Sequence, residues 1–205
     1  LVNDKTLTIT PIALTATLTG NNVFTKEYDG DATVDQTLTL GSTYTLDKVV
    51  SGDTVSIATN TTGSYNNKNA GNGKTISYTG IALTGADAGN YTIADTLSAD
   101  VGKITQKDLT AALIDTSSIS KTYDGTDKVT TALTKGTNYQ FTGMVDGDAL
   151  NLTGTGKYTD KNAGNDKTVS FTGLVLTGDD AGNYNLKTET LSGNVGKINQ
   201  KTIAA

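Results

Sequence analysis

The chain has 205 residues and a net charge of −5, and it contains neither cysteine nor histidine. It also lacks tryptophan and arginine, so that all 16 basic residues are lysines. Without cysteine and histidine it offers no thiol nucleophile, no imidazole proton carrier and no soft-metal site, and we therefore expect no enzyme activity. The acidic balance argues against nucleic-acid binding, and no apolar run is long enough for a membrane span.

The chain contains an internal repeat with a spacing of about 94 residues. Eighteen of the 24 positions in 68–91 are identical in 161–184, and Lys-Glu-Tyr-Asp-Gly at 26–30 returns as Lys-Thr-Tyr-Asp-Gly at 121–125. This spacing exceeds that of solenoid repeats and matches a small domain with its own core. The predicted divisions are the end of a preceding repeat or a first strand at 1–9, one repeat at 10–104, a second at 105–198, and the start of a following repeat at 199–205.

Apolar and polar residues alternate along most of the chain, beginning with Leu-Thr-Ile at 7–9 and Ile-Ala-Leu-Thr-Ala-Thr-Leu at 12–18. A period of two in threonine, valine, isoleucine and tyrosine is typical of half-buried antiparallel strands, and helical spacing is nearly absent. The strands predicted for the first repeat are 7–18, 33–40, 44–50, 53–60, 73–83, 90–95 and 97–105, with equivalents about 94 residues later.

Turn sequences separate these strands, among them Asp-Gly at 29–30 and Ala-Gly-Asn at 70–72. Short strands with frequent turns predict an all-β fold of two tandem β-sandwich-like domains. The join at 101–110 keeps a strand-like pattern and has no proline-rich, serine-rich or charged linker. A join without slack transmits orientation, so we expect the domains to be arranged end to end as a rod.

The Tyr-Asp-Gly triplets, the Lys-Asn-Ala-Gly-Asn segments and the Asp-Ala-Gly-Asn-Tyr segments resemble the bacterial YDG repeat family and the related mostly-β, glycine-rich repeats. The resemblance covers nearly the whole chain, twice. It implies repeats of large surface or secreted adhesins, often beside filamentous-haemagglutinin-like regions, and it implies no established ligand or catalytic residues. On this basis we expect an extracellular, monomeric stalk or spacer that contacts neighbouring repeats of the same chain, with any host or cell-surface ligand bound through other regions.

We expect the repeated motif residues to be structural. In each triplet the tyrosine buries its ring, the aspartate caps the turn and the glycine supplies a backbone angle that other residues resist. Each Asp-Ala-Gly-Asn-Tyr segment is interpreted as a tight turn that leads into a strand. A ligand-binding role for the triplet tyrosines is the alternative. The structural set is Tyr28, Asp29, Gly30, Tyr123, Asp124, Gly125, Asn90, Tyr91, Asn183 and Tyr184.

No cofactor and no catalytic residue is predicted. Oxygen-rich clusters at Asp29, Asp31 and Asp53, or at Asp179 and Asp180, are candidates for binding Ca²⁺ between domains. No spacing resembles an EF-hand loop, and aspartate and asparagine are common in turns for backbone reasons alone. The acidic residues lie in turns spread along the chain, which does not suggest the convergent carboxylate pair of a glycosidase.

Two further alternatives remain open from the sequence. Lysines that recur in both repeats, Lys26 with Lys121 and Lys68 with Lys161, are candidates for an internal amide bond to asparagine or aspartate. A lysine whose stem packs on tyrosine would recur equally well. The rival to the spacer role is a module that binds carbohydrate or a host protein through an edge around Tyr44 and Tyr139.

Overall fold

The computed structural model describes residues 8–20, 23–59, 61–114 and 119–204. These residues form strands and turns, and the helices among them are two short 3₁₀ turns, Ala88–Asn90 and Ala181–Asn183. The all-β prediction is confirmed. Within the described part, no helix is long and apolar enough to cross a membrane.

The chain divides into two compact units. Unit 1 comprises Leu1–Glu27 and Asp31–Thr105, and unit 2 comprises Tyr28–Gly30 and Gln106–Ala205. The division between Thr105 and Gln106 lies one residue after the predicted one at 104/105. Most of the predicted end of a preceding repeat at 1–9 falls outside the described residues, as does the last residue of the predicted segment 199–205.

Unit 1 contains eleven strand segments in its described part. They are β1 (Ile12–Ala13), β2 (Thr15–Leu18), β3 (Thr25–Glu27), β4 (Thr33–Val34), β5 (Tyr44–Asp47), β6 (Ser56–Ile57), β7 (Thr62–Tyr65), β8 (Gly71–Thr79), β9 (Leu83–Thr84), β10 (Tyr91–Thr92) and β11 (Thr96–Thr105). The main sheet has the order β3-β11-β8-β7-β4, and the pairs β1-β10, β2-β5 and β6-β9 form three small sheets. Leu14, Val55 and Tyr91 form one buried cluster of this unit.

Unit 2 contains seven strands in its described part. They are β12 (Lys107–Leu113), β13 (Ile119–Thr122), β14 (Tyr139–Thr142), β15 (Asn151–Tyr158), β16 (Gly164–Thr177), β17 (Tyr184–Leu186) and β18 (Leu191–Asn199). One sheet has the order β14-β12-β17 and the other β13-β18-β16-β15. Both sheets contribute to one core, in which Tyr139 of β14 packs with Leu152, Val169 and Ile198 of the other sheet.

Strand length and direction depart from the sequence predictions. The predicted strand 33–40 is wrong beyond Val34, because the following residues lack a paired neighbour until the isolated bridge at Leu40. The expectation of antiparallel strands is incomplete, because β3 pairs with β11 in parallel and β12 pairs with β17 in parallel. Alternation reports one buried face of a strand, but it does not report the direction of the neighbouring strand.

Candidate functional site

The second Tyr-Asp-Gly triplet lies in a turn that its aspartate stabilises. The Asp124 carboxylate accepts the backbone N–H of Thr126 at 2.9 Å and binds Lys121 Nζ at 2.8 Å. The hydrogen bond from Lys121, followed by those from Thr126, lowers the pKa of Asp124 to about 2. Gly125 has a φ of 82°, which is the left-handed conformation that a side chain resists.

In the first repeat, Asp31 stabilises the equivalent turn, whereas the prediction assigned this role to the triplet aspartate, Asp29. The Asp31 carboxylate accepts the backbone N–H of Thr33 at 2.7 Å and binds Lys26 Nζ at 2.6 Å. The pKa of Asp31 is lowered, mainly by the hydrogen bond from Lys26. In both repeats the carboxylate lies two residues before the N–H that it caps, as in an Asx turn.

The two recurring lysines of these turns also contact tyrosine rings. Lys26 Nζ lies 5.8 Å from the ring centroid of Tyr65, and Lys121 Nζ lies 5.5 Å from that of Tyr158. The lysine side chains are 8% and 6% exposed, respectively. Each lysine therefore packs in the protein while its ammonium group pairs with an aspartate and faces an aromatic ring. An internal amide bond at these lysines stays a prediction.

A second pair of equivalent lysines was missed by the sequence analysis. Lys74 is buried, and its Nζ donates to Asn67 Oδ1 at 2.5 Å and to the carbonyl oxygen of Asn69 at 2.7 Å. Burial lowers the pKa of Lys74. Lys167 Nζ binds Asp160 Oδ1 at 2.7 Å in the equivalent hairpin. These lysines could have been found in the sequence, because the pair Lys74 and Asn67 recurs as Lys167 and Asp160 at the spacing of the repeat.

A buried carboxylate in unit 2 connects two tyrosines. Tyr28 is fully buried, and its hydroxyl donates to the two oxygens of Asp148 at 2.9 and 3.1 Å. The Tyr184 hydroxyl donates to Asp148 Oδ2 at 2.5 Å and accepts the backbone N–H of Val145 at 2.9 Å. The two rings meet edge to face with centroids 5.5 Å apart. We call Tyr28, Val145, Asp148 and Tyr184 the Asp148 cluster.

The electrostatics of the Asp148 cluster favour a neutral Tyr184. Burial, and then the hydrogen bond to Asp148, raises the pKa of Tyr184 well above its usual range. A carboxylate offers two acceptor oxygens, and the two tyrosine hydroxyls donate to them. A buried carboxylate is costly unless it is hydrogen-bonded in this way. The cluster is therefore a binding arrangement for hydroxyl groups rather than a site with a free nucleophile.

Unit 1 repeats the same arrangement around Asp53. The Tyr91 hydroxyl donates to Asp53 Oδ2 at 2.6 Å and accepts the backbone N–H of Val50 at 3.0 Å. The hydrogen bond to Asp53, and then burial, raises the pKa of Tyr91. We call Val50, Asp53 and Tyr91 the Asp53 cluster. Its members are equivalent to Val145, Asp148 and Tyr184 of unit 2.

The equivalent residues of the two clusters differ in exposure. Asp148 is 7% exposed, whereas Asp53 is half-buried. Val145 is half-buried, whereas Val50 is 51% exposed. The two hydroxyl–carboxylate bonds are otherwise alike, so the difference lies in what covers each cluster.

The second triplet tyrosine is less buried than the first. Tyr123 is half-buried and packs at the margin of the unit 2 core, and its backbone N–H donates to the carbonyl oxygen of Asn199 at 2.8 Å. Among the described residues, the Tyr123 hydroxyl has no hydrogen-bond partner. Tyr28, by contrast, is covered completely.

Both Asp-Ala-Gly-Asn-Tyr segments form a 3₁₀ turn followed by a strand. Tyr91 begins β10 and Tyr184 begins β17, and both tyrosines are buried. Asn183 is 3% exposed, whereas the equivalent Asn90 is exposed. Tyr91 is thus a member of the Asp53 cluster and Tyr184 a member of the Asp148 cluster. The sequence did not predict this role.

The acidic clusters considered for calcium are used in other contacts. Asp31 binds Lys26, Asp53 accepts from Tyr91, and Asp180 accepts the backbone N–H of Ala149 at 2.9 Å. Within residues 8–20, 23–59, 61–114 and 119–204, no three acidic side chains converge into a group that would hold a metal ion. The absence of a cofactor stays a prediction.

The predicted binding edge around Tyr44 and Tyr139 is wrong. Tyr44 is 1% exposed and Tyr139 is fully buried. Their hydroxyls accept the backbone N–H groups of Ile57 and Leu152 at 2.7 and 2.8 Å, respectively. These rings are interior anchors because each buried hydroxyl satisfies a strand N–H that would otherwise lack a partner.

The family model for the YDG domain matches residues 3–99 and again residues 105–191. The chain belongs to the YDG domain family. The two matches confirm that the chain consists of tandem YDG repeats. No curated protein and no solved structure matches the chain. Each YDG domain thus combines a Tyr-Asp-Gly turn with an aspartate–tyrosine cluster formed by its Gly-Asp and Asp-Ala-Gly-Asn-Tyr segments.

Proposed function

We propose that these YDG domains are spacer repeats of a bacterial surface or secreted adhesin, in which they extend a binding region away from the cell. The role is extracellular and non-enzymatic, and it requires no cofactor. One observation carries the proposal: a single residue, Gln106, separates β11 from β12. A join of one residue leaves no flexible linker, and such a join transmits orientation from one domain to the next.

The use of the motif residues supports the same role. Tyr28, Tyr91 and Tyr184 are buried and hydrogen-bonded, so the motif that recurs most clearly stabilises the fold. A spacer requires modules that fold reliably and can be repeated along a chain. Such modules are expected to share the residues that stabilise their fold, as these two repeats do.

Small-angle X-ray scattering of the 205-residue chain tests the proposal. A compact globular protein of this length has a radius of gyration of about 17 Å. Spacer repeats arranged in line predict a monomer with a radius of gyration above about 20 Å, since two separated masses add to the radius of each domain. A value near 17 Å would contradict the spacer role.

A matched variant isolates the contribution of the join. Insertion of six glycine and serine residues after Gln106 leaves both domains intact but gives the connection the properties of a flexible coil. We expect the inserted variant to show a broader distribution of distances than the parent chain. If the distance distributions of the two proteins coincide, the short join does not restrict the domains. The one-residue join at Gln106 would then no longer support the spacer role.

The alternative function is binding of carbohydrate or a host protein by the YDG domains themselves. Its predicted surface is buried, and no other observation favours it. A glycan array and a cell-attachment assay with the purified chain separate the two functions. A spacer gives no specific signal in either assay. Saturable binding would contradict the spacer role and support an adhesive one.

A further inference from the structure

We propose that the Asp53 cluster is a docking site for the Tyr-Asp-Gly segment of another YDG repeat, and that Tyr123 of a second copy of this chain fits it. The tyrosine ring would lie beside Tyr91, and its hydroxyl would donate to the Asp53 carboxylate.

The Asp148 cluster is the occupied form of this site. Tyr28–Gly30 belongs to unit 2, although the rest of that unit begins at Gln106. The Tyr28 hydroxyl reaches both oxygens of Asp148, and its ring meets Tyr184 edge to face. A triplet distant in sequence therefore completes an aspartate–tyrosine cluster.

The Asp53 cluster has the same groups except for the second tyrosine, which no described residue of the structure supplies. Tyr91 and Val50 reproduce the hydroxyl–carboxylate and backbone N–H bonds of unit 2 within 0.1 Å, at 2.6 against 2.5 Å and 3.0 against 2.9 Å. Asp53 is half-buried and Val50 is 51% exposed. A carboxylate beside an exposed apolar side chain suits an amphipathic partner such as a tyrosine ring with its hydroxyl.

The glycine of the triplet supplies independent geometric evidence. A Cβ atom built on Gly30 would lie 2.8 Å from Val145 Cγ1, so the backbone of the occupied triplet approaches that valine closely. A Cβ atom on Gly125 would meet no atom of the described residues within 4 Å. Both glycines have positive φ, at 91° and 82°, so the second triplet has a backbone conformation similar to the first but lacks the contact.

Contact between Tyr123 of one copy and the Asp53 cluster of the next joins two different surfaces. Such a heterologous contact links molecules head to tail, into open chains or closed rings. The contact area of one triplet is small, so association between separate chains is weak. Between repeats on one polypeptide, tethering raises the effective concentration and makes the same contact favourable.

Disulfide trapping tests the docking site, and the cysteine-free chain provides a clean background. In the occupied cluster, a Cβ atom on Gly30 would lie 4.0 Å from Val145 Cβ, within the range for a disulfide. The equivalent intermolecular pair is Gly125→Cys in one chain and Val50→Cys in another. The two single-cysteine variants, one of them carrying a mass tag, are mixed and oxidised mildly, and non-reducing electrophoresis separates the heterodimer from the two homodimers.

Val175→Cys is the matched control, because Val175 is 55% exposed and Val50 is 51% exposed. We expect the Gly125→Cys and Val50→Cys pair to form heterodimer at least about fivefold faster than the Gly125→Cys and Val175→Cys pair, because docking raises the local thiol concentration. Addition of Tyr123→Phe to the Gly125→Cys chain removes only the hydroxyl and should slow the first reaction without affecting the second. Thermal melts establish that every variant is folded.

Equal rates for the two pairs, in folded variants, would overturn the proposal. A Gly30→Cys/Val145→Cys double variant tests the occupied cluster within unit 2 and should form an intramolecular disulfide. If it does not, the arrangement on which the docking site is based is wrong, and the proposal fails with it.

Discussion

The Tyr139 hydroxyl accepts the backbone N–H of Leu152 at 2.8 Å in the interior of unit 2. Tyr139 begins β14 and Leu152 lies in β15, so this bond connects a strand of one sheet to a strand of the other. The equivalent bond in unit 1 joins Tyr44 to the N–H of Ile57 at 2.7 Å. A tyrosine that crosses between two sheets in this way sets their separation as well as filling the core.

Tyr139→Phe is expected to destabilise the protein by about 1–3 kcal/mol, because the buried N–H of Leu152 loses its acceptor while the ring remains. Tyr139→Ala should cost about 3–5 kcal/mol, because it also leaves a cavity. Urea unfolding measures both values. Tyr123→Phe is the control and should change stability by less than about 0.5 kcal/mol. Equal costs for the two phenylalanine variants would contradict the role of the Tyr139 hydroxyl.

Gly178→Ala is expected to destabilise unit 2 by about 3 kcal/mol or more, because two effects combine. A Cβ atom at this position would overlap the carbonyl oxygen of Ala149, and φ is 113°. Gly182→Ala is the matched control, since its Cβ atom would meet nothing within 4 Å. Thermal denaturation should separate the two variants clearly, and similar melting temperatures would show that the backbone adjusts at Gly178.

Stability should fall as the pH rises above 10, partly because of Tyr78. Burial is the first cause that raises the pKa of Tyr78 to about 12, so the folded state retains its proton between pH 10 and 12 while the unfolded chain has lost it. The Tyr78 hydroxyl also donates to the carbonyl oxygen of Gln36 at 2.6 Å. Urea midpoints at pH 9 and pH 11 measure the fall.

Tyr78→Phe provides the control for this pH dependence, because unit 2 already carries Phe171 at the equivalent position. The phenylalanine variant should be less stable than the parent at pH 9, since it lacks the hydrogen bond, and should lose less stability between pH 9 and pH 11. An unchanged pH dependence would assign the alkaline loss to other tyrosines.

Acidification should act on the turn of the second triplet. A pKa of about 2 for Asp124, below the ordinary 3.8, means that its contribution to stability is present above pH 4 and is lost as the pH falls towards 2. Lys121→Met removes the ammonium group and should raise the Asp124 pKa towards 3.8 in a carbon-detected NMR titration. Lys201→Met should leave it unchanged, and an equal shift in both variants would exclude a specific Lys121 contact.

The repeat, the all-β class and the location of the principal turns could all be predicted from the sequence. Period-two alternation identifies β8 and β11 well, because one face of each strand is buried and the other is not. The glycine of each Tyr-Asp-Gly triplet was also predictable, because positive φ is a local property of the backbone.

Which aromatic residues are interior, and which carboxylates they contact, depends on the three-dimensional fold. Tyr44 and Tyr139 have no local feature that distinguishes a buried ring from an exposed one. Asp148 is separated from Tyr28 by 120 positions, so their bond depends on the path of the whole chain. The different burial of Asp53 and Asp148 arises for the same reason: equivalent residues have equivalent local sequences, but burial depends on which distant segment packs over them.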